Sequence, residues 1–180
     1  MQGTGKNHLA EELGQNYNWH HICTRSLLQE EQVRGTDDGK RIEECMANGR
    51  QCEDSVVIRL VKEEIAKCEE KSQSWIVSGF PQTKVQALSL QRLKIVPDKF
   101  ICVNRQRSDL NAQEFDDWKC QFEPVRSSFD QFIYDYDVSG EPSRDVQNLG
   151  GMLELRFVSG ASRRPPRVVL IGPPGSGRST

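Results

Sequence analysis

Residues 167–180 read RVVLIGPPGSGRST, and their succession of apolar, glycine and hydroxyl residues indicates the fold class. Four apolar residues, Val168 to Ile171, show no alternation with polar ones, so they predict a parallel strand that is covered on both faces. A glycine-rich turn follows at once, and Arg178 then precedes two hydroxyl residues. Backbone N–H groups of such a turn can point at phosphate oxygens. The stretch therefore predicts a phosphate-binding loop, with arginine in the place where the usual pattern has lysine.

A second loop fragment lies near residue 1. Gly3-Thr4-Gly5-Lys6 precedes Leu9 and Leu13, which is typical of the second half of a phosphate loop that runs into its helix. No apolar strand precedes Gly3, so this fragment lacks the front half of a loop. The alternative interpretation is a flexible start before an ordinary amphipathic helix.

Length and composition narrow the class of protein. The chain has 180 residues, enough for one α/β domain, and its net charge of −2 argues against a dedicated nucleic-acid binder or a basic membrane-surface protein. We expect a cytoplasmic protein without a membrane span, since no apolar run approaches the length of one. The six cysteines are scattered without a C-x-x-C pair, so we expect reduced, buried thiols. No metal-ligand spacing is present among the histidines.

Apolar strands alternate with helical stretches along the rest of the chain. We expect strands at residues 19–24, 74–78, 100–103 and 132–134. Helices are expected from residue 26, over 41–47, from 53, over about 84–93 and from 141. Gly35 to Gly39 should break the first two of these helices apart, and Val85, Leu88 and Leu93 are expected to pack inward. This alternation predicts an α/β fold whose parallel sheet is covered on both faces.

Three motifs resemble those of a known family. Gly3-Thr4-Gly5-Lys6 followed by ICTRSLLQ at 22–29 is similar to a loop, a helix and an S-T-G-D-L-L-R run. Residues 48–61 are similar to a G-x-x-V-x-D-x-x-V segment, and WIVSGFPQTKVQA at 75–87 is similar to D-G-F-P-R-x-x-x-Q-A with its preceding strand. Together they resemble the adenylate kinase family of nucleoside monophosphate kinases, from about Gly3 to Val103 and again in the last helix and closing loop.

This resemblance implies a three-layer, parallel-sheet P-loop nucleoside monophosphate kinase fold with a reduced or absent lid. It implies phosphoryl transfer from ATP to AMP with Mg²⁺ as cofactor, and Lys6 and Arg178 as catalytic residues. The residues expected at the ATP phosphates are Gly3, Gly5, Lys6, Gly172, Gly175, Gly177, Arg178, Ser179 and Thr180. Those expected at AMP are Thr24, Met46, Gly79 and Gln86. No side chain is expected to ligate a metal directly.

The sequence departs from the family pattern at charged positions. Two arginines that hold the acceptor phosphate fall at Gln29 and Gln82, and two aspartates fall at Ser26 and Ser78. The Arg-rich lid has no counterpart between residues 105 and 130. Because phosphoryl transfer depends on charge stabilisation, we expect weakened catalysis. The alternative is a catalytically degenerate kinase-fold module with a structural role.

The two loop fragments also bear on the domain organisation. We expect an adenylate-kinase-like domain over residues 1–158 that lacks its first strand, a linker over 159–166, and a strand with a P-loop over 167–180. The last segment either starts a second kinase domain or completes the first sheet. We favour the first reading, because a single rearranged domain would need the second half of the loop only once and the sequence contains it twice. The chain resembles the tandem-domain adenylate kinases of cilia and flagella. That reading implies a ciliary location and axonemal or microtubule-associated partners.

Overall fold

A computed structural model describes residues 5–104, 120, 122–129, 133–139, 141–154 and 167–172. Five strands form its sheet: β1 (His20–Cys23), β2 (Trp75–Ser78), β3 (Lys99–Asn104), β4 (Ile133–Asp137) and β5 (Arg167–Ile171). The helices are α1 (Gly5–Tyr17), α2 (Thr24–Arg34), α3 (Asp37–Ala47), α4 (Asp54–Glu70), α5 (Lys84–Arg92) and α6 (Pro142–Glu154). A short helical segment also spans residues 122–126. Helical segments therefore separate the strands along the chain, as the sequence predicts, with three helices between β1 and β2.

All pairings between neighbouring strands of the sheet are parallel. The strand order is β1-β2-β5-β3-β4, so β5 occupies the centre although it is the last strand in the chain. Val169 lies opposite Val77 of β2 and opposite Phe100 of β3. The predicted α/β fold with a parallel sheet is confirmed.

The sheet separates two apolar cores, which accounts for the continuous apolar runs in its strands. Alternate residues of β5 point to opposite faces: Val169 and Ile171 enter one core, and Val168 and Leu170 enter the other. The first core contains the buried faces of α4 and α5, and the second contains those of α1 and α6. A strand between two helical layers must be apolar at every position, because neither face meets water.

The central position of β5 is fixed at its first residue by contacts to the preceding part of the chain. The Arg167 backbone N–H donates to the Asp98 carboxylate at 2.9 Å, and the Asp98 N–H donates to the Arg167 carbonyl at 2.7 Å. The Arg167 guanidinium also pairs with Glu69 at 2.8 Å. Since β5 supplies hydrogen-bond partners to strands on both sides, the sheet is continuous only with this strand in place.

Two helix details differ from the sequence-based expectation. Gly39 lies inside α3, because the Thr36 hydroxyl caps that helix by accepting the Gly39 N–H at 3.0 Å; the break therefore spans only Gly35 and Thr36. Val85 is 59% exposed, so the expectation that it packs inward is wrong. The residues of α5 that are buried are Gln86, Ala87 and Leu90.

The cysteines are less buried than the sequence suggests. Cys68 and Cys102 are buried in the core. Cys23, Cys45 and Cys52 are only half-buried, and Cys120 is exposed, so the expectation of buried thiols is wrong for those four. Burial raises the pKa of the Cys102 thiol to about 12, which keeps it protonated at neutral pH.

Candidate active site

A cavity of about 470 Å³ opens at the carboxyl ends of three neighbouring strands. Cys23 ends β1, Ser78 ends β2 and Ile171 ends β5, and all three line the cavity. Ligands of open parallel sheets bind in the crevice at this edge. The fold therefore places the candidate site where chemistry is expected in this class of protein.

Lys6 and Gly172 join the two loop fragments of the sequence at this cavity. Lys6 lies in the first turn of α1, and its ammonium donates a hydrogen bond to the carbonyl of Gly172, which follows β5 directly. Burial lowers the pKa of Lys6 to about 8. A half-buried cation near the end of a parallel strand suits a phosphate ligand, which would compensate the lost hydration.

The other residues expected in the phosphate loop fall largely outside the described part of the chain. Gly5 is the first residue of α1. The expected phosphate ligands that lie outside the described residues are Gly3, Gly175, Gly177, Arg178, Ser179 and Thr180.

Thr24 and Gly79 form one wall of the cavity. The Thr24 hydroxyl donates to the Ser78 carbonyl at 3.0 Å and so ties the start of α2 to the end of β2. Gly79 has a φ of +79°, a left-handed conformation that favours glycine, and an added Cβ would lie 3.6 Å from the Thr24 hydroxyl. The turn after β2 therefore lies directly beside the first residue of α2 at the cavity wall.

Gln86 is held by a hydrogen-bond network that reaches α4. Its side-chain carbonyl accepts the Gln82 backbone N–H at 2.7 Å, and its amide donates to Asp54 at 2.7 Å. The Thr83 hydroxyl donates to the other Asp54 oxygen at 2.9 Å. Asp54 is therefore a positioning residue for the buried Gln86. Its sequence position at the start of a helix suggests only a helix-end carboxylate, so this role was missed.

The structure brings most of the described candidate residues to one place. Met46, although 40% exposed, borders the same cavity as the others. The expected site residues that line this cavity are Lys6, Thr24, Met46, Gly79, Gln86 and Gly172. Residues far apart in the chain thus converge on one site.

Ser78 takes the place of a family aspartate and has acquired a different partner. Its hydroxyl is fully buried and lies 2.8 Å from Nε2 of His21 on β1. Burial lowers the pKa of His21, while the nearby Glu11 carboxylate opposes part of that shift. This neutral pair was missed from the sequence, because only the register that sets His21 beside Ile76 brings it near Ser78.

The charges along the cavity are positive. Arg25 and Arg50 line it together with Lys6, and the lining contains neither aspartate nor glutamate among the described residues. Gln82 also borders the cavity, whereas Gln29 is exposed and lies outside that lining. The two arginines were not predicted as site residues. A cavity with this charge suits an anionic ligand.

Two structural features are absent from the described residues. No group of three or more histidine, cysteine, aspartate or glutamate side chains could hold a metal ion there. Across the same ranges, no helix is long and apolar enough to cross a bilayer.

The parallel sheet and the cationic cavity at its carboxyl edge define an α/β protein whose cavity suits anionic ligands. A family model described as adenylate kinase matches residues 1–123. This chain belongs to the adenylate kinase family.

Individual relatives agree over a shorter stretch. The chain is 33% identical over 101 residues to "Adenylate kinase, chloroplastic" of Zea mays, covering 56% of this chain and 46% of the relative. It is 36% identical over 91 residues to an adenylate kinase of Prochlorococcus marinus, covering 51% and 48% of the two chains. An adenylate kinase of Borrelia garinii is 31% identical over 90 residues, covering 50% and 42%. The matched part is thus about half the length of these relatives or less.

Proposed function

We propose that this chain is a nucleoside monophosphate kinase of the adenylate kinase type, which transfers the γ-phosphoryl group of ATP to AMP. The observation that carries the proposal is one cavity that Lys6 and Gly172 line together with Thr24, Gly79 and Gln86. The first two residues would contact the donor phosphates, and the others would hold the acceptor. A transfer between two nucleotides requires both binding regions in one enclosure.

The residues act by charge and position in this proposal. A phosphate oxygen of AMP forms a bond to the γ-phosphorus of ATP, and the bond from that phosphorus to the β–γ bridging oxygen breaks. The charged form of Lys6 stabilises the negative charge on the transferred group, and Arg178, Ser179 and Thr180 of the predicted loop would assist it. Gln86, fixed by Asp54, presents its remaining amide hydrogen and lone pair to the acceptor base.

Mg²⁺ fits this cavity only as part of the nucleotide complex. The described lining residues include no carboxylate, and Ser78 stands where the family pattern has one. Mg²⁺ keeps several waters and binds phosphate oxygens readily, so ATP and water would be its principal ligands here, and it would neutralise the donor phosphates. We infer weaker activity than in relatives with the full set of charges.

A second candidate is a catalytically degenerate module with a structural role in a ciliary or axonemal assembly. The observation that favours it is the neutral Ser78–His21 pair at the aspartate position, together with uncharged Gln82. In a tandem protein, such a domain would keep the kinase fold and contribute contacts to axonemal partners.

The two candidates differ in whether the folded chain makes ADP. We expect the purified chain to form ADP from ATP, AMP and Mg²⁺ in a coupled assay, and we expect Lys6→Ala to lower kcat by about 100-fold or more. Lys62→Ala, an exposed lysine of α4, is the matched control and should leave the rate unchanged. Full folding without ADP formation would favour the structural role.

We also propose how the closing segment of the sequence belongs to the domain. The pairing of β5 with β2 and β3 supports the reading in which residues 167–180 complete the sheet of residues 1–158. We expect a chain truncated after residue 158 to lose cooperative unfolding, and a synthetic peptide of residues 159–180 to restore it. A truncated chain that unfolds at the same urea concentration as the full chain would support a strand that belongs to another domain.

A further inference from the structure

Two arginines line the cavity at positions where the family pattern does not place acceptor cations. Arg25 directly follows Thr24 in the first turn of α2, and Arg50 lies in the connection between α3 and α4. They approach the cavity from two different elements. Arg50 lines the cavity together with Met46, and Arg25 directly follows Thr24; Met46 and Thr24 are both proposed for the acceptor.

The pairing of these arginines differs from that of other arginines in the protein. Arg34, Arg59 and Arg126 form ion pairs with carboxylates at 3.1 Å or less. Within the described ranges, neither Arg25 nor Arg50 has a carboxylate partner or a side-chain hydrogen bond. A guanidinium that borders a cavity without a carboxylate partner is available for a ligand anion.

The acceptor phosphate requires such cations, and the expected ones are absent. The family arginines correspond to Gln29 and Gln82, and a glutamine amide offers hydrogen bonds but no charge. A phosphate dianion bound by neutral donors alone would lose much of its hydration without compensation. Arginine presents a planar fork of donors that matches two phosphate oxygens, which makes it a better partner than a lysine.

We propose that Arg25 and Arg50 bind the phosphate of the acceptor nucleotide in place of the two missing family arginines. The proposal rests on the proposed function, because it assigns the acceptor side of that same cavity. Lys6 lies beside Gly172 at the end of β5 and serves the donor phosphates instead. The positive charge of the acceptor site has thus moved to neighbouring elements.

The test compares AMP with adenosine, which has the same base and ribose but no phosphate. Isothermal titration calorimetry would measure both ligands on the full chain and on Arg25→Gln, Arg50→Gln and the double variant. We expect each single variant to weaken AMP binding by about tenfold, as for a charge-assisted hydrogen bond. The double variant should bind AMP about as weakly as adenosine. Adenosine affinity should stay unchanged in all of them.

Arg92→Gln is the matched control, because Arg92 is an exposed arginine at the end of α5 that does not line the cavity. Both substituted arginines are exposed, so thermal unfolding should show that every variant remains folded. Unchanged AMP affinity in the folded double variant would overturn the proposal. So would an equal loss of adenosine affinity, which would assign the arginines to the base.

Failure of the proposed function gives a different result. If the unaltered chain binds neither AMP nor adenosine, the acceptor site itself is absent, and the proposed function fails together with this inference. If it binds AMP well and the double variant does too, only the assignment of Arg25 and Arg50 fails. The salt dependence of AMP binding adds an independent readout, because it should be shallower in the double variant than in Arg92→Gln.

Discussion

Lys6→Met should stabilise the ligand-free fold at pH 7, although it should weaken donor binding. Burial lowers the pKa of Lys6 from 10.5 to about 8, so the folded state disfavours the charged ammonium. A tenfold change in the protonation equilibrium corresponds to about 1.4 kcal/mol, which makes the burial of this charge unfavourable by about 3 kcal/mol. Loss of the hydrogen bond to Gly172 offsets about 1–2 kcal/mol of the gain. The expected net stabilisation is therefore about 1–2 kcal/mol.

The stabilisation by Lys6→Met should depend on pH. Below pH 8, Lys6 is protonated in both the folded and the unfolded chain, so the unaltered protein bears the full free-energy cost of burying the charge. Between pH 8 and 10.5 the unfolded chain binds the proton and the folded chain does not, and the stability of the unaltered chain rises with pH through this window. The advantage of Lys6→Met should accordingly shrink above pH 8 and disappear or reverse by about pH 10.5.

Urea unfolding at several pH values would measure the difference between the two chains. Lys62→Met, at an exposed position of α4, should change stability by less than about 0.5 kcal/mol at every pH. A less stable Lys6→Met chain at pH 7, or a difference that does not vary with pH, would refute the reasoning. Either result would mean that Lys6 stabilises the folded state.

Three further changes test the packing around the site, each by urea unfolding. Asp54→Ala removes the hydrogen-bond partner of the buried Gln86 amide, which lies 2.7 Å from Asp54. We expect it to lower the free energy of unfolding by about 2 kcal/mol. A change below about 0.5 kcal/mol would contradict the role of Asp54 as a positioning residue. Leu170→Ala should lower the free energy of unfolding by about 3 kcal/mol, because Leu170 is fully buried in the central strand, and an unaffected chain would argue against that position. Gly150→Ala should lower the free energy of unfolding by about 1–3 kcal/mol, since the added Cβ would lie 1.7 Å from the Tyr17 hydroxyl. In a Tyr17→Ala background, the same substitution should cost less. An equal cost in both backgrounds would count against this contact.

The sheet could be predicted from the sequence because its strands carry a local signal. Val168 to Ile171 show no polar residue, and only burial on both faces explains such a run. The phase of α5 was harder to predict. Val85 is apolar but points outward, because the Thr83 hydroxyl caps the helix by accepting the Gln86 N–H at 3.2 Å and turns Gln86, Ala87 and Leu90 inward.

Site residues that belong to sequence motifs could be predicted, whereas those that depend on contacts between distant elements could not. Thr24, Gly79 and Gln86 belong to recognisable motifs, and all three border the cavity. Asp54 and His21 gain their roles only from contacts between elements, at 2.7 Å to Gln86 and 2.8 Å to the Ser78 hydroxyl. No periodicity within a helix or strand encodes such contacts. A motif also cannot predict that another element supplies the positive charge, as we propose for the two cavity arginines.

Binding of a bisubstrate analogue tests most directly whether one cavity holds both nucleotides. The ligand would be two adenosines joined by a chain of five phosphates, titrated into the full chain by calorimetry with Mg²⁺ present. We predict one analogue per chain, bound more tightly than either AMP or ATP alone, with weaker binding in both Lys6→Ala and the Arg25→Gln, Arg50→Gln double variant. Binding no tighter than that of ATP, or affinity that neither variant changes, would contradict a shared donor and acceptor site.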